Sequence, residues 1–192
     1  MRLWDPIGSE RKRLVSRASG LVVDVGAGPG PNLPLFPPEA RVVAAEPDPH
    51  MLRRLRQAAR RRPQTHVVQA RAEALPFRDG TFDAVVCTLV LCSVGDLHAS
   101  VRELFRVLRP GGSLFFYEHV RAASRFWARV QDLFTPLWRR LAAGCHPNRD
   151  TVDALRQAGF RVEEVRACAV GPYPTRPHVH GAASKPRAVS GT

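Results

Sequence analysis

Cysteine is scarce in this chain and is not spaced for chemistry of its own. Cys87, Cys92, Cys145 and Cys168 form no C-x-x-C pair, and two of them fall in an apolar run and its exit that read as a buried strand. Reduced thiols are expected in place of disulfides or a zinc site, and no metal is predicted. Long apolar runs are missing as well, since none approaches the roughly 18 residues of a membrane span. Residues 1–20 are charged throughout and hold no apolar stretch of the kind a secretory signal needs, so the expected location is cytoplasmic. No internal repeat is visible.

What the chain does have is enough apolar sequence for one good core: 192 residues, 44% hydrophobic. The expected organisation is a short helical segment over residues 1–20, a single domain over 21–185 and a flexible tail over 186–192. The amino-terminal segment has room for one helix, about Ser9 to Ser19, which predicts an abbreviated cover for any pocket beneath it. The net charge of +12 comes largely from arginines scattered along helices, and reads as a solvated basic surface. No basic stripe with interleaved aromatics is present, so no specific nucleic-acid partner is expected.

The most informative segment is Leu21-Val-Val-Asp-Val-Gly-Ala-Gly-Pro-Gly30. Val22, Val23 and Val25 suit a strand buried on both faces, and Gly26, Gly28 and Gly30 let the following turn approach a ligand closely. A helix is expected to start near Asn32. The spacing is G-x-G-x-G, without the third glycine position of the dinucleotide fingerprint. No lysine, serine or threonine follows the glycines, so the phosphate-gripping and magnesium-holding parts of a triphosphate loop are missing. Glu46 closes a second apolar run, Arg41-Val-Val-Ala-Ala-Glu46, where a carboxylate can accept hydrogen bonds from both hydroxyls of a ribose. Together these predict a pocket for an adenosyl ligand; a glycine turn that merely joins strand to helix is the competing explanation.

Strand and helix signals alternate beyond this point. Asp48-Pro49 is an N-cap with proline at the first helical position, followed by Met51, Leu52, Leu55, Ala58 and Ala59 at helical spacing. His66–Gln69 and Phe82–Cys87 read as strands, and Val101, Leu104, Phe105 and Leu108 mark a helix that stops at Arg109-Pro-Gly-Gly112. Ser113–Tyr117 resumes as a strand ending at Glu118-His119. Residues 148–159 read as a helix, Phe160–Val165 as a strand, and Val179–Ser184 as the last strand. This order predicts an α/β fold with a mostly parallel sheet, helices on both faces and ligands at the carboxyl ends of the strands.

With these elements placed, Ala72-Glu-Ala-Leu-Pro-Phe77, Phe82-Asp-Ala-Val-Val-Cys87 and Arg106-Val-Leu-Arg-Pro-Gly-Gly112 resemble the class I S-adenosylmethionine methyltransferases. Cys87-Thr-Leu-Val-Leu-Cys-Ser-Val94, Phe115-Phe-Tyr-Glu-His119 and Pro177-His-Val-His-Gly181 resemble the thiol S-methyltransferases of animal microsomes and their bacterial relatives, a similarity running from about Leu21 to Lys185. The animal members carry an amino-terminal hydrophobic anchor for which this sequence has no counterpart. The resemblance implies a Rossmann-like fold of seven strands, S-adenosyl-L-methionine as cofactor and a small apolar acceptor, a thiol first. A quinone, a phenol and a lipid headgroup are the alternative acceptors, and a non-catalytic cofactor- or RNA-binding protein is the alternative class.

The same resemblance implies the site. Asp24 supports the glycine loop and the methionine amino group, Gly26, Ala27, Gly28 and Gly30 line the cofactor, and Glu46 with Pro47 holds the ribose. Ala72 and Glu73 take the adenine edge, although many class I enzymes place their acidic residue nearer position 71. Leu89, with Val90 and Leu91, lies where the class places the sulfonium, and Thr88 is the polar residue beside it. His119 is a candidate base because imidazole titrates near neutral pH; a structural histidine at a strand end is the plainer explanation. His146, His178 and His180 are weaker candidates. Finally, Phe126, Trp127, Val130, Leu133, Phe134, Leu137, Trp138 and Leu141 form a helical stripe interrupted by Pro136 and flanked by arginines. It suits a hydrophobic lid over the substrate, packing on the sheet, or weak contact with a membrane surface.

Overall fold

The computed structural model describes residues 7–187. The first six residues of the expected amino-terminal segment and residues 188–192 of the expected tail lie outside the described residues. Seven strands form one sheet: β1 (Leu21–Val25), β2 (Arg41–Ala45), β3 (Thr65–Val68), β4 (Phe82–Thr88), β5 (Leu108–His119), β6 (Arg161–Ala169) and β7 (Pro177–Ser184). Their order is β3-β2-β1-β4-β5-β7-β6, parallel except for β7, which runs antiparallel to both neighbours.

Among the described residues five α-helices complete the fold: α1 (Gly8–Val15), α2 (Pro49–Ala59), α3 (Leu97–Val107), α4 (Arg125–Leu141) and α5 (Thr151–Gln157). Both faces of the sheet are apolar, because parallel strands are covered on both sides. On one face Val22, Val42, Val86 and Tyr117 pack under Leu14 and Val15 of α1 and Leu52 and Leu55 of α2. On the other, Val23, Val85, Leu114 and Phe116 pack under Val101 and Leu104 of α3 and Leu155 of α5. The cap the sequence predicts is present, Asp48 accepting from His50 and Met51 N–H, and Asp96 caps α3 in the same way by accepting from Ala99 N–H.

Three elements depart from expectation. The helix expected near Asn32 is a single 3-10 turn, Leu33–Leu35; Pro34, Pro37 and Pro38 remove the donors a longer helix would need. Arg109–Gly112 does not separate α3 from the next strand but lies within β5, where the register with β4 shifts between Phe82 and Ala84 as the chain bulges. Helix α4 runs unbroken through Pro136, and it is docked by polar contacts. Its buried residues are Ala128, Gln131 and Thr135, whereas Phe126, Leu133, Leu137 and Leu141 are exposed. Gln131 is wholly buried and meets the backbone of four other residues: its amide group donates to the carbonyls of Val120, Pro147 and Pro174, and its side-chain oxygen accepts from Ala122 N–H. Those four backbone groups depend on Gln131, so its face of the helix turns inward and Phe126, Leu133, Leu137 and Leu141 are left facing away from the sheet, while Trp127, Val130, Phe134 and Trp138 are half-buried. Among the described residues no helix is long and apolar enough to cross a membrane.

Candidate active site

The loops leaving the carboxyl ends of β1, β2, β3 and β4 meet at a cavity of about 1220 Å³. Gly26, Glu46, Pro47, Ala72, Glu73 and Leu89, all expected at the cofactor, line it; Asp24, Ala27, Gly28 and Gly30 are not part of its wall. None of the aromatic stripe of α4 reaches it, so the lid reading has no contact to stand on in this arrangement; Ala143, just beyond the helix, does line it.

Glu46 is buried yet borders the cavity. One carboxylate oxygen accepts from Gly28 N–H at 2.8 Å and the other from Asp48 N–H at 2.9 Å. Each oxygen keeps a further lone pair, so the group is held in place and can still accept from two vicinal hydroxyls. Gly26 adopts φ +62°, and a Cβ there would lie 2.6 Å from Val90 Cγ2, so a side chain would push the loop after β4 away from the loop after β1.

Behind the glycine loop lies a buried polar cluster. Asp24 accepts from Asn32 Nδ2 at 2.8 Å through one oxygen, while its Oδ2 is buried with no hydrogen-bond partner. Burial pushes the Asp24 carboxyl up to about 7, against the Asn32 hydrogen bond and the Arg11 guanidinium, with the Glu46 carboxylate adding to the rise. A buried acceptor of this kind suits an ammonium group. Thr88, expected beside the reacting atoms, belongs to the same cluster: its Oγ1 accepts from Arg11 Nη1 at 3.0 Å and from Asn32 Nδ2 at 3.1 Å. Its hydroxyl is spent on positioning, and it does not line the cavity.

Leu89 takes φ +61°, costly for a residue with a Cβ. It is held there by Tyr117 O, which accepts its N–H at 2.7 Å, and by Glu118, a wholly buried carboxylate that accepts from Val90 and Cys92 N–H at 3.0 Å each. Burial raises the Glu118 carboxyl against the backbone donors of Cys92, Leu91 and Val90. Glu73 is likewise committed: its Oε1 accepts from Gly95 N–H at 2.8 Å, tying the 95–96 loop to the cavity wall.

The candidate base His119 is turned elsewhere. Its Nδ1 lies 3.6 Å from Cys92 Sγ and 3.6 Å from Cys145 Sγ, and its ring centroid is 4.1 Å from that of His178. It does not line the cavity. A hydrogen bond from the Cys92 thiol, reinforced by His119, draws Cys145 down to about 4 despite burial, while Cys92 is pushed well up. His178 is lowered to about 4, by burial first and then by His119. His180 packs at Arg13 and Glu10, and His146 is lowered by burial; neither joins this group. Arg11, Asn32, Glu118, Cys92 and Cys145 carry no sequence signal for the contacts they make here, because their partners lie in distant segments. Only the fold brings them together.

A methyltransferase-domain family model matches residues 23–116. The chain is 34% identical to the human thiol S-methyltransferase TMT1B, with 92% of this chain and 79% of that protein covered. It is 30% identical to the ubiquinone/menaquinone biosynthesis C-methyltransferase UbiE of Hahella chejuensis, over 83% of this chain and 73% of that one. Among solved structures, the N-methyltransferase NodS of Bradyrhizobium japonicum, in complex with S-adenosyl-L-homocysteine, superposes with a TM-score of 0.73 at 17% identity, covering 94% of this chain and 86% of that one; a likeness at that identity is one of fold. A buried carboxylate held by two backbone N–H groups borders the cavity, a carboxylate oxygen with no hydrogen-bond partner among the described residues lies behind the glycine loop, and with these relatives the chain belongs to the S-adenosylmethionine-dependent methyltransferases.

Proposed function

We propose that the protein transfers the methyl group of S-adenosylmethionine to a small apolar thiol, and that residues 21–185 form the catalytic unit. In this reading Glu46, beside Pro47, receives the ribose hydroxyls and Ala72 faces the adenine. Glu73 acts on that edge by fixing the 95–96 loop. The backbone of Gly26, Ala27, Gly28 and Gly30 wraps the methionine part, Asp24 answers its ammonium, and Leu89 meets the sulfonium end. The cofactor supplies a methyl carbon already activated by a positive sulfur. As the acceptor sulfur's electron pair forms the new bond, the old carbon–sulfur pair returns to the sulfonium and neutral S-adenosylhomocysteine leaves.

The observation that carries the thiol reading is the makeup of the acceptor end. Leu89, Val90, Val94 and Ala143 form an apolar wall; Glu118 behind it is buried and occupied by Val90 and Cys92 N–H, and Glu73 beside it is held by Gly95 N–H. Such a wall binds an apolar molecule and offers no free base, which suits an acceptor that ionises unaided. A thiol of pKa about 8.5 is a few per cent thiolate at neutral pH, whereas a phenol of pKa about 10 is roughly thirtyfold less ionised. The protein's work is then alignment and exclusion of water. The likeness to TMT1B, named a thiol S-methyltransferase, supports the same class. The likeness to UbiE favours a quinone-type acceptor as the second reading.

A panel of thiols, phenols, quinols and amines of matched apolar size, assayed with methyl-labelled cofactor, tests the proposal. Label is expected in the thioethers at rates at least tenfold above any other class. Preferential labelling of a quinol or phenol would move the assignment to the second reading.

A further inference from the structure

Cys92, Cys145 and His119 form a cluster that does not itself line the cavity but adjoins residues that do. Ser93, which lines the cavity, has its hydroxyl 3.6 Å from Cys92 Sγ, and Ala143, also on the wall, precedes Cys145 by two residues. The three ligand atoms, Cys92 Sγ, Cys145 Sγ and His119 Nδ1, all lie within 4.8 Å of one another. Tetrahedral zinc, with bonds of about 2.3 Å to sulfur and about 2.05 Å to nitrogen, sets sulfur and nitrogen ligands about 3.6 Å apart. Both sulfur-to-Nδ1 distances here are 3.6 Å.

The framework around the ligands is stiff. Glu118 holds Cys92 by its N–H at 3.0 Å, and His146 N–H donates to Cys92 O at 2.6 Å, clasping the loop after β4 to the segment that carries Cys145. His119 ends β5, paired with His178 of β7, whose ring lies against its own. Three separate segments are thus fixed around one point, and second-shell contacts of this sort orient metal ligands.

We propose that Cys92, Cys145 and His119 bind one zinc ion and that its fourth position receives the acceptor thiolate. Two thiolates and an imidazole select a soft or borderline divalent ion. Three protein ligands are the number found where zinc keeps a position for substrate. Both cysteines bind the metal as thiolates, so any thiol proton the pair still carries goes to solvent, and binding the acceptor releases its thiol proton in the same way. The metal-bound sulfur then donates an electron pair to the methyl carbon, the sulfonium recovers the pair of the bond that breaks, and the thioether formed, a weaker ligand, leaves. This last role rests on the thiol reading; the metal site does not.

Metal analysis of the full chain purified under reducing conditions, followed by cobalt substitution, separates the two. One equivalent of zinc is expected, with a cobalt form showing sulfur-to-metal charge transfer and the visible bands of a tetrahedral ion. Cys92→Ser and Cys145→Ser should each lower zinc affinity at least tenfold, while Cys168→Ser, which touches Tyr117 and lies outside the cluster, should keep it. Less than a tenth of an equivalent of zinc, or a disulfide between Cys92 and Cys145 in its place, overturns the site whatever the acceptor proves to be. Adding an apolar thiol with S-adenosylhomocysteine should shift the visible bands of the wild-type cobalt form. Bands unchanged by a thiol that the zinc enzyme methylates overturn the acceptor role. The wild-type spectra decide the matter even where a serine variant fails to fold.

Discussion

With Asp24 answering the cofactor's ammonium as proposed, cofactor binding is coupled to pH. Its carboxyl, raised to about 7 by burial, is largely protonated in the free protein at pH 6, and an ammonium placed against its unpartnered oxygen favours the ionised form. Binding then releases a proton below pH 7, so affinity rises with pH and levels off above the free-state value. Calorimetry with S-adenosylhomocysteine should show up to about fivefold tighter binding at pH 7 than at pH 6, and little change from 7.5 to 8.5. Asp24→Asn should flatten the profile; a wild-type affinity that does not vary with pH would contradict the assignment. Gly26 carries a second prediction. With φ +62° and Val90 Cγ2 only 2.6 Å from the position of a Cβ, Gly26→Ala should cost about 1–3 kcal/mol of stability. It should also weaken S-adenosylhomocysteine at least tenfold, and a variant with wild-type melting and affinity would show that the loop has slack.

At the scale of elements, burial separates helices that hold the fold together from the one that lies upon it. Leu155 of α5 is wholly buried between sheet and α3, whereas Leu133 of α4 is 86% exposed. Leu155→Ala should cost about 2–5 kcal/mol in denaturant unfolding, and Leu133→Ala less than about 0.5 kcal/mol. Equal losses would mean that the α4 stripe is covered by protein in solution. The sequence made α2, β1, β4 and β5 legible because continuous apolar runs, the Asp48-Pro49 cap and helical spacing are local signals. It misled for α4, where apolar periodicity predicts the buried face and the polar side chain of Gln131 decides otherwise by meeting the backbone of four other residues. The bulge at Arg109–Gly112 was hidden for a related reason: proline and glycine punctuate the chain, and whether they end a strand or kink it depends on the neighbouring β4.

Across the whole molecule, the strand order places β1 and β4 side by side, with β2 and then β3 beyond β1, so that four loops far apart in sequence open on one cavity. The part of the site readable in advance is the part carried by strand ends: Gly26, Glu46, Pro47, Ala72, Glu73 and Leu89 all border the cavity. The remainder depends on meetings across the fold, such as Arg11 with Thr88 or Cys92 with Cys145, for which no spacing rule exists. The account therefore turns on whether the cofactor occupies this cavity with its ribose on Glu46. Titration calorimetry of S-adenosylhomocysteine against the wild type and Glu46→Ala tests this most directly, with Glu46→Gln retaining one oxygen for the backbone. Two hydrogen bonds to a charged group at about 1.5–3 kcal/mol each imply at least a hundredfold loss in Glu46→Ala and a smaller loss in Glu46→Gln. A Glu46→Ala protein that folds normally and binds with wild-type affinity would contradict it.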